Sequence, residues 1–192
     1  MSPSSNRLLN LRLPLRSARL ELTLPTSANS GDLPSAISDP RVAGWLLHLP
    51  DPYTRKDARA WARAAAARFR EGTALQLLIF ERGSGKLVGG IGLRQISWEH
   101  RSAELGYWLA VGAWGRGYGT EAARLVVRTS FQRLGLHRLE AGTFDGNRRS
   151  QHVLRKLGFR KEGIRRKTFW VRGRWRDDVV FGLIRKAPIV QR

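Results

Sequence analysis

The residues best suited to chemistry lie in the run E-L-G-Y-W-L-A-V-G-A-W-G-R-G-Y-G-T-E, from Glu104 to Glu121. Four glycines (Gly112, Gly115, Gly117 and Gly119) fall within eight of its residues. The first half alternates as a strand does, and an amphipathic helical pattern begins directly after the glycines. A strand, a glycine-rich turn and a helix start aim backbone N–H groups into one concavity, which suits an anion. Thr120 adds a hydroxyl at the helix start and Arg116 a mobile positive charge, so a pyrophosphate fits better than a lone carboxylate. The run is not a P-loop, because no Lys-Ser or Lys-Thr pair follows the last glycine. Nor is it a dinucleotide fingerprint: Gly115-x-Gly117 lacks a third glycine at Tyr118-Gly119-Thr120, and no acidic residue closes the next strand where a ribose would need it. Glycines at such a turn can also serve the bend alone.

The elements that position this run follow from periodicity and punctuation. Residues 1–17, rich in Ser, Pro and Arg, read as loose until a first strand at Ala18–Leu24, which Pro25 stops. A short helix reaches Ile37, and a second begins at Asp39-Pro40 and runs through Trp45 and Leu46. Thr54-x-x-Asp57 is a capping box for a helix whose Ala58, Trp61, Ala62, Ala65 and Phe69 share a face, ended by Gly72. Strands at Ala74–Glu81 and Lys86–Ile96 flank a turn at Gly83-Ser84-Gly85. In the strand Ala103–Val111, Ala103, Leu105, Tyr107 and Leu109 face one way and Glu104, Gly106, Trp108 and Ala110 the other. A helix over Thr120–Leu134 follows, with Ala123, Val127, Phe131 and Leu134 toward the sheet. Then come a strand at Arg138–Thr143, a helix at Arg148–Leu157 ended by Gly158, a hairpin near Arg172-Gly173-Arg174 and a last strand around Val179–Ile184. This order predicts an α/β sheet with helices on both faces.

Composition narrows the class. The 192 residues suit one domain, and 42% hydrophobic content with seven tryptophans indicates a folded globule. The absence of cysteine excludes disulfides, thiolate metal sites and a cysteine nucleophile. His48, His100, His137 and His152 show no ligand spacing, so no metal is expected. Arginines interrupt the N-terminal leucines and no apolar run nears the roughly 20 residues that span a bilayer, so a cytoplasmic location is expected. The net charge of +20 attracts polyanions or a phosphate-rich ligand. Residues 148–192 carry 15 Lys and Arg against 3 Asp and Glu, interleaved with Phe169, Trp170 and Trp175. Such a region can bind RNA by phosphate contact and stacking, or be a hairpin with one solvated basic face and one packed aromatic face.

The run W-G-R-G-Y-G-T-E-A, followed by N-R-R-S-x-x-V-L-R-K-L-G-F-R-K-E-G, resembles the acetyl-CoA signature of the GNAT acetyltransferases, and within them the RimJ/RimL-like branch. The resemblance covers nearly the whole chain: D-P-R-V-A-G-W-L-L-H-L-P-D-P-Y-T-R-K-D-A-R-A-W matches that branch's N-terminal helices, and W-R-D-D-V-V-F its last strand. It implies a GNAT fold over residues 18–187, with a C-terminal tail at 188–192. The single mixed, largely antiparallel sheet is splayed between the Ala103–Val111 and Arg138–Thr143 strands, and acetyl-CoA sits in the gap as acetyl donor. By the same resemblance Leu109 and Val111 pair through backbone with the pantetheine arm, and a backbone N–H at the strand's end polarises the acetyl carbonyl. Arg116, Gly117, Gly119 and Thr120 hold the pyrophosphate, and Asn147 contacts pantetheine by its side chain. Glu104, beside Trp108 on the acceptor side, is the implied general base, acting through water.

Two positions depart from the common pattern. Trp114 stands where many members have Gln or Arg, and Leu154 stands where many have the tyrosine that protonates the thiolate. Ser150 is therefore the candidate acid. Asp177 and Asp178 read as neutralising nearby arginines. The implied function is N-acetyl transfer to an amine, foremost the α-amine of a protein such as a ribosomal protein, with docking on RNA through the basic C-terminal region. A small-molecule amine acetyltransferase and a CoA-binding, ribosome-associated protein without turnover are the alternatives. A polycationic acceptor is disfavoured by the +20 charge, which no acidic cluster in the sequence reverses.

Overall fold

The computed structural model describes residues 6–47 and 49–186, so His48, residues 1–5 and the expected tail at 188–192 lie outside the described residues. Of the segment before residue 18, the described part, 6–17, is folded. It forms α1 (Asn6–Leu9) and β1 (Leu15–Arg16), and buries Leu8, Leu11 and Leu15 while the arginines between them face outward. Arg7 also donates to the Leu134 carbonyl at 3.3 Å, tying this segment to the far end of a later helix. Leucines spaced to one side outweigh the local Ser, Pro and Arg content once there is a core to meet.

Next come β2 (Leu20–Thr23), α2 (Leu33–Ile37), α3 (Pro40–Ala43) and α4 (Arg55–Glu71). The α4 cap is the expected reciprocal pair: the Asp57 N–H donates to Thr54 and the Thr54 N–H to the Asp57 carboxylate. Gly72, at φ 76°, ends that helix. The helix α3 stops at Ala43, short of the expected Leu46. Then follow β3 (Leu75–Glu81), β4 (Leu87–Ser97), β5 (Ser102–Leu109), a 3-10 turn at Val111–Ala113, α5 (Tyr118–Gln132), β6 (Arg138–Phe144), α6 (Arg148–Lys156), β7 (Arg160–Val171) and β8 (Arg174–Ile184).

These strands make one sheet in the order β1-β2-β3-β4-β5-β6-β8-β7. Every neighbouring pair is antiparallel except β5 with β6. The parallel pairing lasts for Ser102↔Arg138, Ala103↔Leu139 and Glu104↔Glu140, and then stops. Beyond it β5 stays with β4 as far as Leu109, while β6 stays with β8 as far as Phe144. The sheet therefore opens in the middle, and the unpaired backbone edges there must find other partners.

Each face has its own core. On one face Leu75, Leu77, Ile91, Leu93 and Leu105 pack with α5 through Tyr118, Ala122 and Val126. On the other Leu33, Ile37, Val42 and Ala58 meet Leu78 and Leu87. The helix α5 starts two residues before the expected Thr120, and Val127 and Phe131 are only partly buried. Its buried stripe begins at Tyr118, because the glycine turn delivers the chain already wound for helix. Beyond Asp178 the strands β7 and β8 leave β6 and continue alone as a two-stranded ribbon to Val171↔Arg174. Among the described residues no helix is long and apolar enough to cross a membrane, and no group of three His, Cys, Asp or Glu could hold a metal ion.

Candidate active site

The glycine turn builds an anion cradle from backbone. Gly115 and Gly117 sit at φ 76° and 79°, the left-handed region that other residues enter at a cost, and Gly117 is the N-cap of α5. The Glu121 N–H is the first to reach back, to the Gly117 carbonyl at 3.1 Å. No side chain caps the helix, so the N–H groups of Tyr118, Gly119 and Thr120 are left for a ligand at the positive end of the helix dipole.

Arg116 is not the mobile charge expected. Its guanidinium turns to the back of the loop, 2.7 Å from Glu81, and lies over the Tyr118 ring at 4.7 Å. Arg19 covers the same ring at 4.8 Å, binds Glu121 and donates to the Arg116 carbonyl at 3.0 Å. The Tyr118 hydroxyl donates to Glu81, and this contact, helped by Ser84 and Arg116, pulls the Glu81 carboxyl from 4.5 down to about 2. The network fixes the loop from behind. What Arg116 offers an anion is its N–H.

The opening between β5 and β6 is lined by donors. The Ala110 N–H donates to the Val88 carbonyl at 2.9 Å, so by antiparallel alternation the backbone groups of Leu109 and Tyr107 point the other way, into the opening. The Trp114 indole donates to the Leu109 carbonyl at 2.9 Å and the Trp114 N–H to the Val111 carbonyl at 3.1 Å. The Leu109 and Val111 carbonyls thus each accept a hydrogen bond from Trp114, and Val111 lies in the 3-10 turn rather than in the strand. The Leu109 N–H remains, aimed where a carbonyl oxygen needs polarising. Arg149 stacks on Trp114 at 4.5 Å and holds the indole in place. This is the work of a residue that the sequence marks only as a departure from pattern.

Two polar groups face each other on the α6 side. The side-chain oxygen of Asn147 caps α6 by accepting from the Ser150 N–H at 3.2 Å, which leaves its amide NH2 for other partners. The Tyr107 hydroxyl lies 3.0 Å from both the Ser150 carbonyl, to which it donates, and the Ser150 hydroxyl. Burial pushes the Tyr107 phenol up to about 12, with Ser150 opposing, so it stays protonated. Tyr107 was legible only as a hydroxyl on an otherwise apolar strand face. Nearby, Thr143 Oγ1 is buried without a hydrogen-bond partner among the described residues.

On the opposite face Glu104 pairs with Arg94 at 2.5 Å, its direct cross-strand partner in the regular register of β4 with β5. The Trp108 ring lies flat over Gly90, where an added Cβ would be 2.5 Å from its Nε1. Asp178 is paired with Arg165 at 2.9 Å, as expected, but Asp177 accepts from the Lys167 N–H rather than from an arginine.

A single cavity of about 760 Å³ joins the two faces through the opening. Tyr107, Asn147 and Ser150 line it on one side, and Glu104, Trp108 and Asp178 on the other. The fold therefore brings Glu104, Ser150, Asn147 and Trp108 to one site, with the cradle of Gly117, Gly119 and Thr120 at the helix end beside it. A long, thin, phosphate-bearing thioester such as acetyl-CoA fits this donor set: helix N–H groups for phosphates, strand N–H groups for carbonyls, and the orphaned Thr143 hydroxyl for an amide.

The family model described as "Acetyltransferase (GNAT) domain" matches residues 19–160. The "Probable N-acetyltransferase YjcK" of Bacillus subtilis is 36% identical over 140 residues, 72% of this chain and 77% of that protein. A solved structure described as "a putative ribosomal-protein-serine acetyltransferase from Vibrio cholerae" superposes with a TM-score of 0.77 at 25% identity, covering 90% of this chain and 98% of the other. The structure of RimL, a ribosomal alpha-N-protein acetyltransferase in complex with coenzyme A, superposes with a TM-score of 0.81 at 20% identity, covering 88% and 95%.

Proposed function

The chain belongs to the GNAT acetyltransferases, and from that premise we propose that it moves an acetyl group from acetyl-CoA to the α-amine of a protein, such as a ribosomal protein. The observation that carries the reading is the continuous cavity through the sheet, with a carboxylate on one side of the opening and a hydroxyl pair on the other. Acetyl-CoA, when bound, supplies a thioester whose carbonyl carbon can take the amine.

The chain's residues do the rest. The N–H groups of Tyr118, Gly119 and Thr120, with that of Arg116, hold the pyrophosphate. The Asn147 amide and the Thr143 hydroxyl hold the arm, and the Leu109 N–H polarises the acetyl oxygen. Glu104 accepts the proton from the amine through a water, and Arg94 orients its carboxylate. Ser150 gives a proton to the departing sulfur; Tyr107, 3.0 Å away, can replace it by turning its hydroxyl from the Ser150 carbonyl to Oγ, and regains a proton from water in the cavity. Holding amine and thioester together in one cavity supplies much of the acceleration. An α-amine, with an ordinary pKa of about 7.7–8.0, suits this weak-base arrangement.

Support for a ribosomal acceptor comes from the Vibrio cholerae protein's description and from the basic ribbon of β7 and β8. On that ribbon Trp170 and Trp175 are 60% and 54% exposed beside Arg172 and Arg174, a surface suited to RNA. A cytoplasmic location is part of the same reading. A polycationic acceptor fits poorly, because Glu140 and Glu162 are bound by Arg138, as Glu104 is by Arg94.

The test is a thermal melt with and without acetyl-CoA, followed by thiol-release kinetics on peptides with free N-termini. At a hundredfold excess over Kd, acetyl-CoA should stabilise the protein by about 2.7 kcal/mol. No melting shift, or no peptide-dependent thiol release, contradicts the reading.

A further inference from the structure

We propose that Asp178 forms an ammonium subsite on the α2 side of the opening, holding one protonated α-amine between its carboxylate, Gly142 and Glu104. The proposal rests on the acetyl-transfer reading above and names how the acceptor is received.

The Asp178 side chain is only 4% exposed, yet it lines the cavity together with Gly142, Arg165 and Glu104. Its carboxylate lies flat across β6: a Cβ on Gly142 would stand 2.7 Å from Oδ1. Gly142 is not among the residues with positive φ, so the backbone there does not demand glycine. A glycine inside a strand weakens it and marks a close approach. The approaching group here is the Asp178 carboxylate, which any side chain at 142 would push off the path to the opening.

The two carboxylate oxygens have different surroundings. Oδ2 takes the Arg165 guanidinium at 2.9 Å, while Oδ1 lies over Gly142. Burial raises the Asp178 carboxyl above the usual range, Arg165 pulls it back, Glu104 raises it again, and the Thr143 N–H favours the ionised form. Arg94 lines the same cavity, paired with Glu104, and Glu140 and Glu162 are held by Arg138. Arg176, on the same strand, is turned to Trp45 and Phe144. Two carboxylates that disfavour each other's charge across a desolvated gap gain from a cation placed between them. Arg165 takes Asp178 through Oδ2 and Arg94 takes Glu104 through Oε1, so Oδ1 and Oε2 are left to accept one ammonium, as on a peptide N-terminus, and not a polyamine.

The binding test uses glycinamide, a minimal α-ammonium, at a pH where it is protonated, and follows the backbone amide resonances of Gly142 and Thr143. Saturable shifts are expected in the wild type and lost in Asp178→Asn and in Gly142→Ala. Their absence in the wild type, or their persistence in both variants, overturns the proposal. This arm needs no turnover, so it stands apart from the acetyl-transfer reading. The kinetic arm uses a peptide acceptor that the wild type acetylates. Both variants should raise its KM about tenfold, as loss of one charged hydrogen bond implies, with kcat and the acetyl-CoA KM little changed. A fall in kcat at constant acceptor KM, or an equal rise in both KM values, contradicts an ammonium subsite.

Discussion

At the scale of single residues, the proton path divides between two faces of one sheet. In the proposed mechanism Ser150 is the donor to sulfur, since Leu154 is fully buried and has nothing to give. Ser150→Ala should lower kcat by about 10²-fold at nearly constant acetyl-CoA KM, the size expected for a positioned general acid. Tyr107→Phe should cost less, because the serine hydroxyl remains and only its replenishment is lost. Single-turnover measurement of thiol release separates the two, and a Tyr107→Phe loss as large as that of Ser150→Ala would make Tyr107 the acid instead. Neither Tyr107 nor Asp178 could be assigned from residue type. A tyrosine between Leu105 and Leu109 reads as core, and Asp177 and Asp178 are identical neighbours until strand alternation sends one inward and one out. Side-chain roles of this kind depend on what the next strand places opposite.

At the scale of elements, local signals were legible and register was not. The capping box at Thr54 and Asp57, the glycine stop at Gly72 and the strand-turn-helix order around Gly117 follow from short-range rules, and the structure keeps them. The Arg94–Glu104 pair depends on how β4 is registered against β5, and the burial of Leu8 and Leu11 depends on a core made elsewhere, so neither is visible locally.

Trp114 joins these levels, closing the Leu109 carbonyl so that Leu109 offers the opening its N–H alone. Trp114→Phe keeps the ring and removes the donor, and an acceptor left unpaired costs about 1–3 kcal/mol. The acetyl-CoA KM should rise about tenfold with kcat falling less, as steady-state kinetics would show. The clamp behind the same loop gives a pH signature. The folded pKa of Glu81 is depressed to about 2, so its ionised form stabilises the protein fully above the ordinary 4.5 and that contribution fades as pH falls toward 2. In melts across that window, Glu81→Gln should flatten the acid loss of stability relative to the wild type.

At the scale of the whole molecule, a net charge of +20 surrounds a site where Glu104, Glu140 and Asp178 are each matched by an arginine. The outer field favours a polyanionic platform, while the proposed subsite takes a single amine. If the ribbon of β7 and β8 docks on RNA, co-sedimentation with ribosomes should fall steeply as salt rises. Replacing Trp170 and Trp175 by alanine should weaken it further at constant salt, by about 1–3 kcal/mol per stacked base. Equal co-sedimentation by the double variant would confine the ribbon's aromatic pair to holding the hairpin together.

The central claim is that an amine is activated by Glu104 on one face while sulfur is protonated by Ser150 on the other. Mass spectrometry of protein N-termini after incubating a ribosomal extract with acetyl-CoA tests it most directly, comparing the wild type with a Glu104→Gln/Ser150→Ala double variant. The account predicts a discrete set of N-terminally acetylated proteins with the wild type and none above background with the double variant. Acetylation of the same set by the double variant at the wild-type rate would contradict it.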